Sequence, residues 1–303
     1  MRFITYCEGQ NAPQPGLLLE DGQTVASLGH LYPSLLALID AGEPGLDAAR
    51  KELAKPSKTL ALSGLQLLAP LPEPRQLRDC MVYEKHLLQA SAQGQKLMGI
   101  ENPKVTIPPV WYRQPVYYKG NRFSVIGTGA DIRWPAYAQA MDFELELALV
   151  IGRKGTDIAP DKAGDHIFGY MIFNDMSARD AQMAEMQGQL GPAKGKDFDT
   201  GNVFGPWLVT PDEVGDIGKL HVRATVNGET VADTTAADMQ HDIGAILAHI
   251  SASETLYPGE VIGLGTIGDC CLLEHGRFLA PGDTIEFEVE KLGTMRNRLV
   301  KSA

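Results

Sequence analysis

The chain has 303 residues and a formal net charge of −11, with 44% hydrophobic and 21% charged residues, which suits an ordinary globular protein of one large domain or a main and a small one. The acidic balance argues against nucleic-acid or anionic-membrane binding through a broad basic face, while small anionic ligands answer to local charge instead. The four cysteines show no CxxC spacing, no apolar run reaches the ~18 residues of a membrane span, and MRFITYCEGQ has no signal-like apolar region, so a reduced, cytoplasmic protein is expected.

Residues 1–70 read as a small module of strand-like pieces (Arg2–Cys7, Leu17–Glu20, Thr24–Ser27) and helical stretches around Ser34–Asp40 and Leu46–Leu53. Pro70-Leu71-Pro72-Glu73-Pro74 is a stiff connector, and it marks a natural boundary before a main domain over 75–303. A helix is expected after Tyr83, through His86 and Leu87 to about Met98. Strand patterns then dominate, at Val116–Tyr118, Asp142–Ile151, Ile167–Phe173, Trp207–Val209, Leu220–Val226, Val261–Leu264 and Thr284–Glu290. Helical patterns fall at Ala159–Asp165, Ser177–Met186 and Met239–Ser251. Too few helices alternate with strands for a doubly wound parallel sheet, so a mixed, β-rich α+β architecture is expected. Asn227-Gly228 between strand patterns predicts a hairpin.

The stretch Met141–Gly152 alternates like a strand, which puts Glu144 and Glu146 on one face and Phe143, Leu145, Leu147 and Leu149 on the other. Thr284–Glu290 alternates equally well, but its charged face stays charged through Glu286, Glu288 and Glu290, as a solvated strand face does. The face of Glu144 and Glu146 continues instead to Ala148 and Val150. Carboxylates entering a core need cations, hydrogen bonds or a metal. Asp175 ends the next apolar run and stands where a helix begins. It can cap that helix in competition with Ser177, or join the glutamates around a hard divalent cation.

Together these blocks resemble the fumarylacetoacetate hydrolase family. They are Asp142–Leu147, Gly169-Tyr170 through Asn174-Asp175 to Ser177–Gln182, Lys196–Thr200 with Gly205-Pro206-Trp207, then Gly265-Thr266, Pro281-Gly282-Asp283 and Gly293–Asn297. The resemblance spans about residues 75–300 and implies a mixed β-sandwich/roll of that family's C-terminal type behind the small N-terminal α+β domain. It implies that Glu144, Glu146 and Asp175 bind a divalent metal, Mg²⁺ foremost with Mn²⁺ or Ca²⁺ as alternatives. Asp79, seven residues before His86, matches a further ligand in some members, and His86 matches the histidine that activates water. Many bacterial members pair that histidine with a glutamate three residues on. Here Gln89 stands there, and Glu274 is the best-placed counterpart of the downstream glutamate that other members use. Lys196 matches the lysine that stabilises an enolate, and Tyr118, Arg179, Gln182 and Thr266 match positions that touch substrate. Asp142 shares the face of the glutamates but starts the strand and is left outside the metal shell.

The activity implied is hydrolysis of a carbon–carbon bond in a small anionic 2,4-dioxo acid of the acylpyruvate, fumarylpyruvate or fumarylacetoacetate type, as in aromatic-compound catabolism. His86 takes the proton of water, the metal and Lys196 share the enolate's charge, Glu274 fixes the imidazole tautomer, and Arg179 meets the far carboxylate. A decarboxylase, isomerase or hydratase of a 2-oxo acid on the same metal site is an alternative, since fold does not decide among them. The absent His-x-x-Glu glutamate also leaves open a non-catalytic oxo-acid-binding protein. His275, beside Glu274, is the rival to His86, and Cys270-Cys271 read as buried small hydrophobes. Relatives imply a homodimer, with neither nucleic acid nor membrane as partner.

Overall fold

A computed structural model describes residues 1–301 and shows a strand-rich α+β chain whose sheets stay open. The largest sheet has 12 strands. Its order places Arg2–Cys7 beside Asn202–Val209, followed by Ile167–Asp175, Leu145–Ile151, Val261–Gly263, Leu77–Cys80 and Tyr117–Lys119. Arg2 pairs with Val209 and Phe3 with Leu208, so the strands of residues 1–70 extend the sheet of the larger part across the proline connector. A second sheet of 5 strands joins Glu229–Thr235, His221–Val226, Thr284–Val289, Gly293–Lys301 and Asp131–Trp134. No helix of the described residues is long and apolar enough to cross a membrane.

The strand Leu145–Ile151 is buried at every position, because different layers cover its two faces. Leu145, Leu147 and Leu149 pack with Val222, Ile285, Phe287 and Leu299 of the second sheet. Ala148 and Val150 pack with Phe3 and with Leu35, Leu38 and Ile39 of the helix Leu35–Asp40. In Thr284–Val289, by contrast, Ile285, Phe287 and Val289 are buried while Glu286 and Glu288 lie toward solvent, as the alternation predicts.

Local signals account for most of the boundaries. Asn227 and Gly228 both take positive φ, 52° and 82°, in a tight hairpin where Val226 faces Glu229, the two-residue turn that this pair favours. Ala159–Asp165 forms a 3₁₀ helix over Pro160–His166. The Met239–Ser251 pattern forms its helix only from Ile243, where Asp242 caps the first turn by accepting from Ala245 N at 2.7 Å. The run Asp142–Ile151 is split. Met141–Asp142 pairs with Ser177–Ala178, and Leu145–Ile151 pairs with Asn174–Ile167. Between them Glu144 leaves the ladder to bridge Cys271, while Asp175 N still donates to Glu144 O at 3.1 Å. That gap holds the site.

Candidate active site

Three strand ends deliver carboxylates to one buried space. Glu146 is the second residue of Leu145–Ile151, and Asp175 ends the neighbouring antiparallel strand. Asp79 lies on Leu77–Cys80, which runs parallel to Val261–Gly263 so that Asp79 faces Gly263. A Cβ on Gly263 would stand 2.2 Å from Asp79 Oδ1, so only glycine leaves room for that carboxyl. One carboxylate oxygen from each of Asp79, Glu146 and Asp175 lies within 4.8 Å of the others. Glu146 accepts from Gly265 N at 3.0 Å and from Thr266 Oγ1 at 3.1 Å. Asp175 Oδ2 accepts from Tyr118 Oη at 2.8 Å and from Lys196 Nζ at 2.5 Å. Asp79 Oδ1 and Asp175 Oδ1 are buried without a hydrogen-bond partner among the described residues. An all-oxygen, mutually repelling set with unpartnered oxygens fits a hard divalent cation such as Mg²⁺, Mn²⁺ or Ca²⁺.

Glu144 lies on the cation-rich side of the same space. Lys196 Nζ donates to its Oε2, and Arg179 Nη2 reaches its Oε1 at 2.7 Å. The ammonium of Lys196 also donates to Ser177 Oγ at 2.7 Å. His86, in the first turn of Glu84–Leu97, is held between two carboxylates. Its Nδ1 is 3.2 Å from Glu274 Oε1 and its Nε2 is 3.5 Å from Glu144 Oε1. Glu274 Oε2 accepts from Cys271 N at 3.1 Å. His86, Glu144 and Cys271 also lie within 4.8 Å of one another, but two cations already occupy Glu144 there.

Glu144 and Glu146 titrate in opposite directions. Burial opposes ionisation of Glu144, yet Arg179, then Lys196 and His86, outweigh it and hold the carboxyl well below its usual range. Burial raises Glu146 well above that range, and Asp79 and Asp175 raise it further. Asp79 is likewise raised well above the carboxylate range, by burial first and by Asp175 next. Burial raises Asp175 despite Lys196.

The structure thus brings Asp79, His86, Tyr118, Glu144, Glu146, Asp175, Arg179, Gln182, Lys196, Thr266 and Glu274 into one connected web. The capping alternative for Asp175 fails, because the following helix Arg179–Met186 is preceded by Ala178 with no side-chain cap. Arg179 is buried among protein partners, bonded to Asp142 and Glu144 and, through Nη1, to Gln182 Oε1 at 2.9 Å. His275 is exposed, and Gln89 donates to Asp269 rather than to His86. Cys270 and Cys271 are buried free thiols. Two residues take other roles than the sequence suggests: Asp142, expected outside the metal shell, binds Arg179, and Ser177, expected as a competing helix cap, accepts from Lys196 instead. The third carboxylate of the Asp-x-Glu-x-Glu alternation was the available signal for Asp142.

Residues 82–300 match the fumarylacetoacetate (FAA) hydrolase C-terminal family. The mitochondrial oxaloacetate tautomerase of Xenopus laevis is 33% identical over 308 residues, covering 99% of this chain and 90% of that protein. Among solved structures, fumarylacetoacetate hydrolase from psychrophilic Exiguobacterium antarcticum has a TM-score of 0.78 at 27% identity, covering 100% of both chains. The 2-hydroxyhepta-2,4-diene-1,7-dioate isomerase of Mycobacterium marinum has a TM-score of 0.72 at 26% identity, covering 100% of this chain and 99% of that one. A family match over most of the length, a full-length relative and a shared fold agree with the blocks read from the sequence: this chain belongs to the fumarylacetoacetate hydrolase family.

Proposed function

We propose that the chain hydrolyses a carbon–carbon bond of a 2,4-dioxo acid, with His86 activating the water. The observation that carries this reading is the imidazole held between Glu274, 3.2 Å from Nδ1, and Glu144, 3.5 Å from Nε2. A carboxylate on Nδ1 fixes the ring proton there and leaves the Nε2 lone pair to accept the proton of water. Asp79, Glu146 and Asp175, with Glu144 adjoining, would hold a divalent cation, Mg²⁺ foremost, whose chemistry is Lewis-acid polarisation of the substrate's carboxylate and 2-oxo oxygens.

The chain's own groups do the remaining work. Lys196 presents an ammonium, oriented by Glu144, Asp175 and Ser177, to the charge that develops on the leaving enolate. Tyr118 and Thr266 hold Asp175 and Glu146 in place by donating to them. Arg179 keeps Glu144 against the imidazole. Water adds its hydroxyl to the distal carbonyl, the bond to the enolate carbon breaks, and the proton held by His86 returns to that carbon. An acylpyruvate then yields pyruvate and a second carboxylic acid.

A second reading has the same base move a proton between carbon and the enol oxygen of a 2-oxo acid without cleavage. The full-length similarity to an oxaloacetate tautomerase favours it. Proton NMR of acetylpyruvate, fumarylpyruvate and oxaloacetate incubated with Mg²⁺-loaded protein separates the two. Hydrolysis gives pyruvate and a second acid in equal amounts, whereas tautomerisation changes only the rate of keto–enol exchange. Faster exchange with no cleavage of either dioxo acid would overturn the hydrolytic reading.

A further inference from the structure

Asp142 spends its hydrogen bonds on Phe143, Arg179, Leu272 and Leu273, away from His86 and the group of Asp79, Glu146 and Asp175, yet both carboxylates that flank the imidazole depend on it. It is fully buried. Its Oδ1 accepts from Phe143 N and Leu272 N, each at 2.8 Å. Its Oδ2 accepts from Leu273 N at 3.1 Å and from Arg179 Nε and Nη2 at 2.9 and 2.7 Å. Leu272 and Leu273 open the 3₁₀ turn Leu273–His275 that carries Glu274. Pinning their amides fixes where the Glu274 side chain starts toward His86 Nδ1. On the other side Arg179 Nη2 is shared, 2.7 Å from Asp142 Oδ2 and 2.7 Å from Glu144 Oε1. Fixing that guanidinium fixes Glu144 against His86 Nε2.

We infer that Asp142 is the positioning residue for the His86 imidazole, setting its tautomer by holding Glu274 on Nδ1 and its ring orientation by holding Glu144 beside Nε2. The inference rests on reading His86 as the base. A carboxylate is the side chain for this task because every neighbour within reach is a donor and it accepts at about four lone-pair sites. An asparagine presents an amino group to one set of those donors whichever way it turns. It therefore loosens the turn, the guanidinium or both.

The test is Asp142→Asn, read by three measurements. Long-range ¹H–¹⁵N NMR of the metal-free protein reports the His86 ring, assigned by its loss in His86→Gln. Wild type is expected to show one tautomer with the proton on Nδ1, and the variant a mixture. Calorimetric titration with Mg²⁺ alone is expected to give the wild-type affinity. With a dioxo acid that wild type cleaves, kcat is expected to fall about 10²-fold, the scale of a displaced catalytic group, with little change in KM. If Asp142→Asn does not fold, Arg179→Lys keeps the charge, removes the fork to Asp142 and Glu144, and must loosen the ring from the Nε2 side. A folded variant with the wild-type tautomer, or a loss of turnover that follows a loss of Mg²⁺ affinity, overturns the inference. A changed tautomer in a protein whose wild type cleaves no dioxo acid leaves the positioning role standing and removes the hydrolytic reading instead.

Discussion

Without a cation, Asp79, Glu146 and Asp175 place carboxyl oxygens within 4.8 Å of one another in a buried space. Two unit charges at that separation repel by about 3.5 kcal/mol at an effective dielectric of about 20. Asp79 avoids part of this by keeping its proton, since burial and then Asp175 raise it well above its ordinary 3.8. Keeping the proton at pH 7 costs at most about 4 kcal/mol, because each pH unit above the ordinary value costs about 1.4. Asp79→Asn keeps a donor beside Glu146 without the cost of holding a proton, which should relieve about 2–3 kcal/mol in the metal-free protein. With an unfolding entropy of about 2.1 cal/mol/K per residue over 303 residues, the metal-free Tm rises by about 3–5 °C, while the gain in Tm on adding Mg²⁺ shrinks. The pH dependence has a definite sign. Folded Asp79 binds its proton more tightly than the unfolded chain does, so the stability it contributes is present in full below about pH 4 and is lost as pH rises through the raised pKa. The advantage of asparagine therefore grows from pH 4 upward. Calorimetric scans of chelator-treated protein at several pH values, with and without Mg²⁺, provide the assay. A metal-free variant that melts below wild type at pH 7, or an advantage that shrinks as pH rises, would refute the electrostatic argument.

Gly263→Ala should push Asp79 aside, because the new Cβ would stand 2.2 Å from its Oδ1; Mg²⁺ affinity by titration calorimetry should fall at least tenfold, the scale set by loss of supporting contacts (~10–100-fold). Glu274→Gln should leave Mg²⁺ affinity intact, since Glu274 touches His86 and Cys271 instead of the carboxylate group, while kcat in a steady-state assay drops about 10²-fold. Glu286→Ala, on the strand that alternates as well as Leu145–Ile151 does, should change stability in denaturant titrations by no more than about 0.5 kcal/mol and leave turnover unchanged.

What could be read from the sequence rested on local period and chain order. Alternation put Leu145, Leu147 and Leu149 on one face and Ala148 and Val150 on the other, and those sets do enter separate cores. Alternation could not show that both faces are covered, because that depends on a helix more than 100 residues upstream and on strands 70 or more residues downstream. The family blocks named Glu274, but its partner His86 is 188 residues away, and only the folded turn at Leu273–His275 brings them together. Asp142 starts the strand pattern and so falls outside the expected metal shell, and its role is hidden from local pattern because it lies in donors 37, 130 and 131 residues distant. Asp175 was ambiguous for the opposite reason. A strand end before a helix satisfies the capping rule locally, and only Tyr118 and Lys196, which occupy its Oδ2, take it away from that role.

The contrast between Glu144 and Glu146 explains why this site calls for a cation on one side only. The two residues are two positions apart in the sequence and equally buried in practical terms at 4% and 1% exposure, so burial alone would push both toward protonation. Glu144 is nevertheless held ionised by Arg179 and Lys196, and those cations are in turn fixed by Asp142, Asp175 and Ser177. Glu146 accepts from Gly265 N and Thr266 Oγ1 and faces Asp79 and Asp175. The protein therefore concentrates positive charge on Glu144, which lies against His86, and brings the Lys196 ammonium to the three converging carboxyls through Asp175 alone among the described residues. An oxygen-lined space that is buried, rich in carboxyls and short of protein cations binds a divalent ion most strongly when its acids lose their protons, so metal uptake and proton release should be coupled.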